Sequence, residues 1–246
     1  MSISLIAGFI LLLIVGSLIV SSISYNRQKV ITQQRKEVAR HTKTADELGS
    51  YRNFLIKVDP DYEILTLLQR QLLGALEQIL ARVPDNNNIR QRAEAEKLCF
   101  QQFKQRQRDN ALDPIMVSDE ELSNSKKSLA AIAKHLDLST NAGTMSPATH
   151  QKLIMHLKNL GLLIEVESHQ HQAQLYADKG DVVLFQSHLK QARDALHKAP
   201  IESDKKNLRI RQLTEALTET KRTNKIVQLP PLGTENEESQ ETNTPA

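Results

Sequence analysis

The sequence predicts an all-α protein: a single N-terminal transmembrane helix followed by an elongated cytoplasmic helical bundle with helical hairpins. Three observations predict it. From Ile3 to Ile23 the chain is apolar apart from small Ser and Gly, and no Asp, Glu, Lys, Arg or His occurs between Ser2 and Asn26. Across the chain Gln, Lys, Arg, Glu and Ala are abundant and Gly and Pro scarce, with 8 of each in 246 residues, which is the usage of helices rather than sheets. Apolar residues then recur at steps of three and four through one segment after another.

The first run is long enough to span a bilayer. At about 1.5 Å per residue, Ile3 to Ile23 reaches roughly 32 Å, against a hydrocarbon layer of about 30 Å. A core helix would need a polar face, and none is present. The run lacks a preceding basic patch and exceeds the roughly 7–15 apolar residues of an export signal, so it reads as a permanent anchor. Ser4 and Gly8, and Ser17 and Ser21, form small-xxx-small pairs of the kind that let helices associate.

Charge sets the expected orientation. Arg27, Lys29, Arg35, Lys36, Arg40 and Lys43 follow the run closely, opposed only by Glu37. Lys and Arg resist translocation, so this flank and everything after it should be cytoplasmic, in a single-pass protein of the cell (inner or plasma) membrane with its N-terminus outside. These six bases are candidate membrane-proximal groups for anionic lipid. Cys99 is the only cysteine in 246 residues, which fits a reducing compartment and excludes a disulfide framework.

Proline marks the joints of the remainder. Residues 1–25 read as the anchor, 26–58 as a basic juxtamembrane helix, 59–228 as the cytoplasmic helical domain and 229–246 as an acidic disordered tail. The juxtamembrane helix has a sparse apolar set, Ile31, Val38, Ala45, Leu48 and Leu55. Asp59-Pro60 then gives an N-cap and a first-turn proline. Leu65, Leu68, Leu72, Leu76, Ile79 and Val83 form the next stripe, widened by Ile64, Leu67, Leu73 and Leu80, so that helix should be buried on two sides.

After the Asp85–Asn88 turn cluster a helix should turn Ala93, Leu98 or Cys99, Phe100 and Phe103 inward. Ser118-Asp119-Glu120-Glu121 is a capping box that opens a helix through Leu122, Leu129, Ile132, Ala133 and Leu136. Ser146-Pro147 starts the longest helix, with the stripe Leu153, Leu157, Leu160 and Ile164 and then a polar stretch from Glu167 to Gln172. Gly180-Asp181 reads as a stop followed by a new N-cap. Val182, Phe185, Leu189, Ala192 and Leu196 come next at steps of three and four. They make the second arm of a hairpin, either core or a groove for a partner helix, and the stripe from Leu153 is their nearest expected cover. A last helix, from about Ser203 to Asn224, carries Ile210, Leu213 and Leu217. The tail, with Glu235, Glu237, Glu238 and Glu241 and no base, has little to bury.

Few residues suggest chemistry. His169 and His171, with Glu165 and Glu167 four residues before each, are the nearest approach to a metal motif. On one helix the two histidines point roughly 200° apart, so they read as solvated face residues, and neither metal nor cofactor is expected. The basic stretch Arg90, Arg92, Lys97, Lys104, Arg106 and Arg108 is interrupted by Glu94, Glu96 and Asp109, and reads as a solvated bundle face. The hairpin resembles a tetratricopeptide unit at Tyr176, Gly180-Asp181, Leu189 and Ala192, but Phe185 replaces a small residue and no second copy lies 34 residues away.

No phosphate-binding glycine loop, nucleophile elbow or carboxylate dyad occurs, so no enzyme activity is expected. The expected work is that of a membrane-anchored helical adaptor or scaffold holding a protein partner at the cytoplasmic membrane face. The alternative is a membrane-tethered nucleic-acid-binding or regulatory module that uses the basic helix around 90–108.

Overall fold

The computed structural model describes residues 3–59, 62–106, 114–199 and 203–227; the side chains of residues 3–16, 19, 20, 23, 62 and 102–106 lie outside that description. Among the described residues there are seven α-helices and no strand, as the all-α reading expects. In order they are α1 (Ile3–Val58), α2 (Tyr62–Arg82), α3 (Asn87–Arg106), α4 (Asp119–Asn141), α5 (Pro147–Asp178), α6 (Val182–Lys198) and α7 (Asp204–Thr223). The chain forms two compact units, one of Met1–Ile56 with Asp61–Ala111 and one of Lys57–Pro60 with Leu112–Ala246. That division falls inside the stretch 59–228 that the sequence groups as one domain.

No helix of the described residues is long and apolar enough to cross a membrane. The run Ile3–Ile23 opens α1, and most of its side chains lie outside the described set. The same holds for Pro60, for Phe103, Lys104 and Arg106, and for the tail from 229 onward.

In the first unit α1 is exposed from Ser24 to Glu37 and becomes buried from Ala45 onward, at Leu48, Arg52 and Leu55 among others. The α2 stripe is buried at Leu65, Leu68, Leu72, Leu76 and Ile79, joined by Ile64. Val83 is exposed, because α2 ends at Arg82 and Pro84 follows. The inward register of α3 also differs from the one expected. Ala93 is buried and Glu96 and Phe100 partly so, while Leu98 and Cys99 are exposed. The reason is electrostatic: Arg52 of α1 contacts the Glu96 carboxylate, which draws Glu96 inward and leaves Leu98, two residues on, about 200° away.

In the second unit the caps are local and sit where the sequence places them. Ser118 accepts from the Glu121 N–H in a full capping box, Ser146 caps α5 ahead of Pro147, and Ser203 caps α7. Gly180 takes φ +75°, the left-handed conformation that ends α5, and Asp181 then accepts from the Leu184 N–H at 3.0 Å.

The hairpin stripe is core. Phe185, Leu189, Ala192 and Leu196 are buried with Val166 and Ala173 of α5 and with Leu213, Ala216 and Leu217 of α7; Val182 is half-buried. Their cover is therefore not the stripe Leu153, Leu157, Leu160 and Ile164, which is buried outside this cluster. Folding back from Gly180, α6 ends at Lys198 and reaches only about as far as Leu162. The earlier turns of α5 meet α4 instead, closely enough that a Cβ on Gly161 would stand 3.2 Å from Leu129.

Candidate functional site

The polar stretch in the middle of α5 is not a solvated face. Ser168, His169, Gln170 and Gln172 are all buried, and each of three of them holds another segment. Ser168 Oγ accepts from the Met116 N–H at 2.8 Å, and Gln172 Nε2 donates to the Met116 carbonyl at 3.4 Å. Spaced four apart on α5, these two side chains satisfy both backbone groups of Met116. That anchors the segment just ahead of Ser118 and so places the start of α4 over α5. On α7, buried Arg209 donates to the Gln170 carboxamide and to Gln212 at 2.8 Å; burial lowers its pKa from the ordinary arginine value.

His169, read from the sequence as solvated, keeps only 6% exposure. His188 of α6 lies against it, itself 7% exposed, with the two Nδ1 atoms 3.4 Å apart. The His188 ring also stacks on Tyr176, centroid to centroid 5.3 Å with the planes 6° apart, which fixes its orientation. Asp119, the first residue of α4, completes the group: its carboxylate and a ring nitrogen of each histidine lie within 4.8 Å of one another. Asp119 is exposed, and beside it opens a groove of about 480 Å³ lined by Leu122, Lys126, Glu165, His169 and Gln191, among others.

The electrostatics favour uncharged imidazole at His169. Burial lowers the pKa of His169, and His188 adds to the effect; Glu165 and Asp119 act in the opposite direction, and Lys126 reinforces the lowering. Lys126 also pairs with Glu165 at 2.8 Å across the groove. Two imidazoles and one carboxylate are groups that could hold a metal ion.

The remaining sequence-singled residues are dispersed. Arg27, Lys29, Arg35, Lys36, Arg40 and Lys43 are exposed along α1. Of the basic stretch in α3, Arg92 is committed to Asp46 at 2.7 Å and Arg90 donates to the Pro84 carbonyl. His171 is half-buried and is not part of the His169 group. His150 and His156 pair with Asp137 and Asp59, at 2.6 and 2.8 Å.

Sequence reasoning along one helix missed His188 and saw in Asp119 only a capping-box residue. The signal was available, since His188 falls three after Phe185 and four before Ala192, squarely in an inward register. No protein family, characterised protein or solved structure gives a significant match to this chain.

Proposed function

We propose that this protein is a membrane-anchored helical adaptor that holds a protein partner at the cytoplasmic face of the cell membrane. One observation carries the reading: α1 is unbroken from Ile3 to Val58, yet its residues from Ser24 to Glu37 are all exposed. At about 1.5 Å per residue those residues extend about 21 Å, more than the headgroup layer on one side of a bilayer. The first helical unit would therefore stand clear of the lipid on a continuous helical stem. Arg27, Lys29, Arg35 and Lys36 are exposed on that stem and Arg40 just beyond it, and none of them pairs with an acid among the described residues. Free cations in that position suit an anionic lipid surface, and the Lys/Arg excess after Ile23 favours the cytoplasmic side.

The test is membrane fractionation of the full-length protein with a reporter fused after Ala246, alongside a version lacking residues 3–23. Resistance to alkaline extraction, cytoplasmic reporter activity and release by the deletion are expected. A full-length protein found in the soluble fraction overturns the anchor, and an exported reporter overturns the cytoplasmic placement. Crosslinking in intact cells should then recover the same partner with the full-length form and lose it with the deletion.

A further inference from the structure

The group around His169 draws on three separate helices: Asp119 from the first turn of α4, His169 from α5 and His188 from α6. The two Nδ1 atoms are 3.4 Å apart. Two nitrogens each about 2.05 Å from a tetrahedral zinc ion stand about 3.3 Å apart, so the imidazole pair already has the spacing of one tetrahedral edge. A simple N–H···N hydrogen bond at that distance would be a long one. All three ligand atoms lie within 4.8 Å of one another. A turn of the exposed Asp119 side chain would draw its carboxylate closer to the two nitrogens while the two buried rings stay in place.

We propose that Asp119, His169 and His188 form a binding site for a divalent transition-metal ion of the zinc class, ligated by the two Nδ1 atoms and the carboxylate. The fourth position faces the groove and is open to water. Uncharged imidazole is the ligating form, and the buried setting of His169 already favours it. Stacking on Tyr176 keeps the His188 ring from turning away. The groove beside Asp119 gives an ion a path in, and the Lys126–Glu165 pair lies along that path. A bound ion would clip the start of α4 to the α5–α6 hairpin, so the stability of the second unit would depend on metal. This inference is independent of the membrane-anchor reading.

The test uses the full-length, tag-free protein in mild detergent, stripped with a chelator and titrated calorimetrically with Zn²⁺. Co²⁺ replaces it where visible absorption is to report coordination geometry. One ion per chain is expected, with a higher melting temperature and a four-coordinate Co²⁺ spectrum. His169→Gln and His188→Gln should each weaken binding by at least about 100-fold, more than loss of a supporting outer contact. Because the buried histidine variants could fold poorly, Asp119→Asn is the decisive variant: its side chain is exposed, the Ser118–Glu121 cap is untouched, and binding should weaken at least about 10-fold. His171→Gln should bind as the wild type does. Absence of binding at micromolar zinc, or unchanged binding in Asp119→Asn, overturns the proposal.

Discussion

Arg52 of α1 and Glu96 of α3 form an ion pair withdrawn from water, their side chains 9% and 15% exposed. Gln69 of α2 completes the contact. Its Oε1 accepts from Arg52 at 3.0 Å and its Nε2 donates to the Glu96 carbonyl at 2.9 Å. Three helices of the first unit thus meet at one guanidinium. Burial lowers the Arg52 pKa, but arginine stays charged at any working pH, so losing its partner cannot be relieved by losing a proton.

Glu96→Ala should therefore destabilise the first unit by about 3 kcal/mol, the usual cost of stranding one partner of a buried pair. Replacing both partners by apolar residues, Arg52→Met with Glu96→Leu, should recover most of that loss. Denaturant unfolding of the full-length protein checks both. A double variant no more stable than Glu96→Ala would mean that the pair shapes the packing as well as supplying charge balance.

Two glycines predict opposite outcomes. Gly74 lies inside α2 with open space where a Cβ would go, so Gly74→Ala should stabilise by up to about 1 kcal/mol through helix propensity. Gly180 also has open space, but at φ +75°. The same change there should cost about 1 kcal/mol or more from backbone strain, and Gly180→Asn less. Melting temperatures moving in the same direction for both alanine variants would refute the turn geometry.

What the sequence made legible was what depends on near neighbours. The caps at Ser118, Ser146, Asp181 and Ser203 each need only a side chain reaching three residues on, so their spacing announces them. The members of the α6 stripe were equally plain. Their cover was not, because it depends on how far α6 reaches back along a longer α5, a matter of length rather than pattern. Glu96 was read as outward because a charge usually is, and Arg52, which draws it in, lies 44 residues upstream. His169 and His188 escaped for a related reason: polar residues in an inward register look solvated until a second helix supplies the partner.

Acid sensitivity should follow from His169. Its folded pKa is lowered, chiefly by burial and then by His188, with Glu165, Asp119 and Lys126 also facing it. The unfolded chain thus binds the proton more readily. The stability this group contributes is fully present above about pH 6.5, the unfolded histidine value, and is lost as pH falls toward the lower folded value. With chelator present, the unfolding free energy should decline below that pH by at most about 1.4 kcal/mol per pH unit from this one group. His169→Gln should flatten the decline. An equally steep decline in that variant would place the acid sensitivity elsewhere.

Leu189 tests whether the hairpin is closed core or a groove awaiting a partner. It has no exposure, and it sits among Phe185, Ala192, Val166 and Ala173 with Leu213 and Leu217 of α7 across from it. Leu189→Asp would set a carboxylate into that cluster, and an unpaired buried charge together with the lost packing should cost at least about 3 kcal/mol. Lys190, exposed one position round the helix, gives a control in which Lys190→Asp is nearly silent. Leu189→Met keeps the volume and should cost less than about 1.5 kcal/mol. If α7 is the cover, Leu213→Asp, at an equally buried position, should weaken the same melting transition as Leu189→Asp. If the stripe instead opened to receive a foreign helix, Leu189→Asp would leave melting unchanged and abolish only partner capture. On the proposed anchor reading, membrane attachment should survive every one of these changes, because the apolar run of α1 ends far from the hairpin in the chain. Loss of attachment together with the fold would count against the run at Ile3–Ile23 as the proposed anchor.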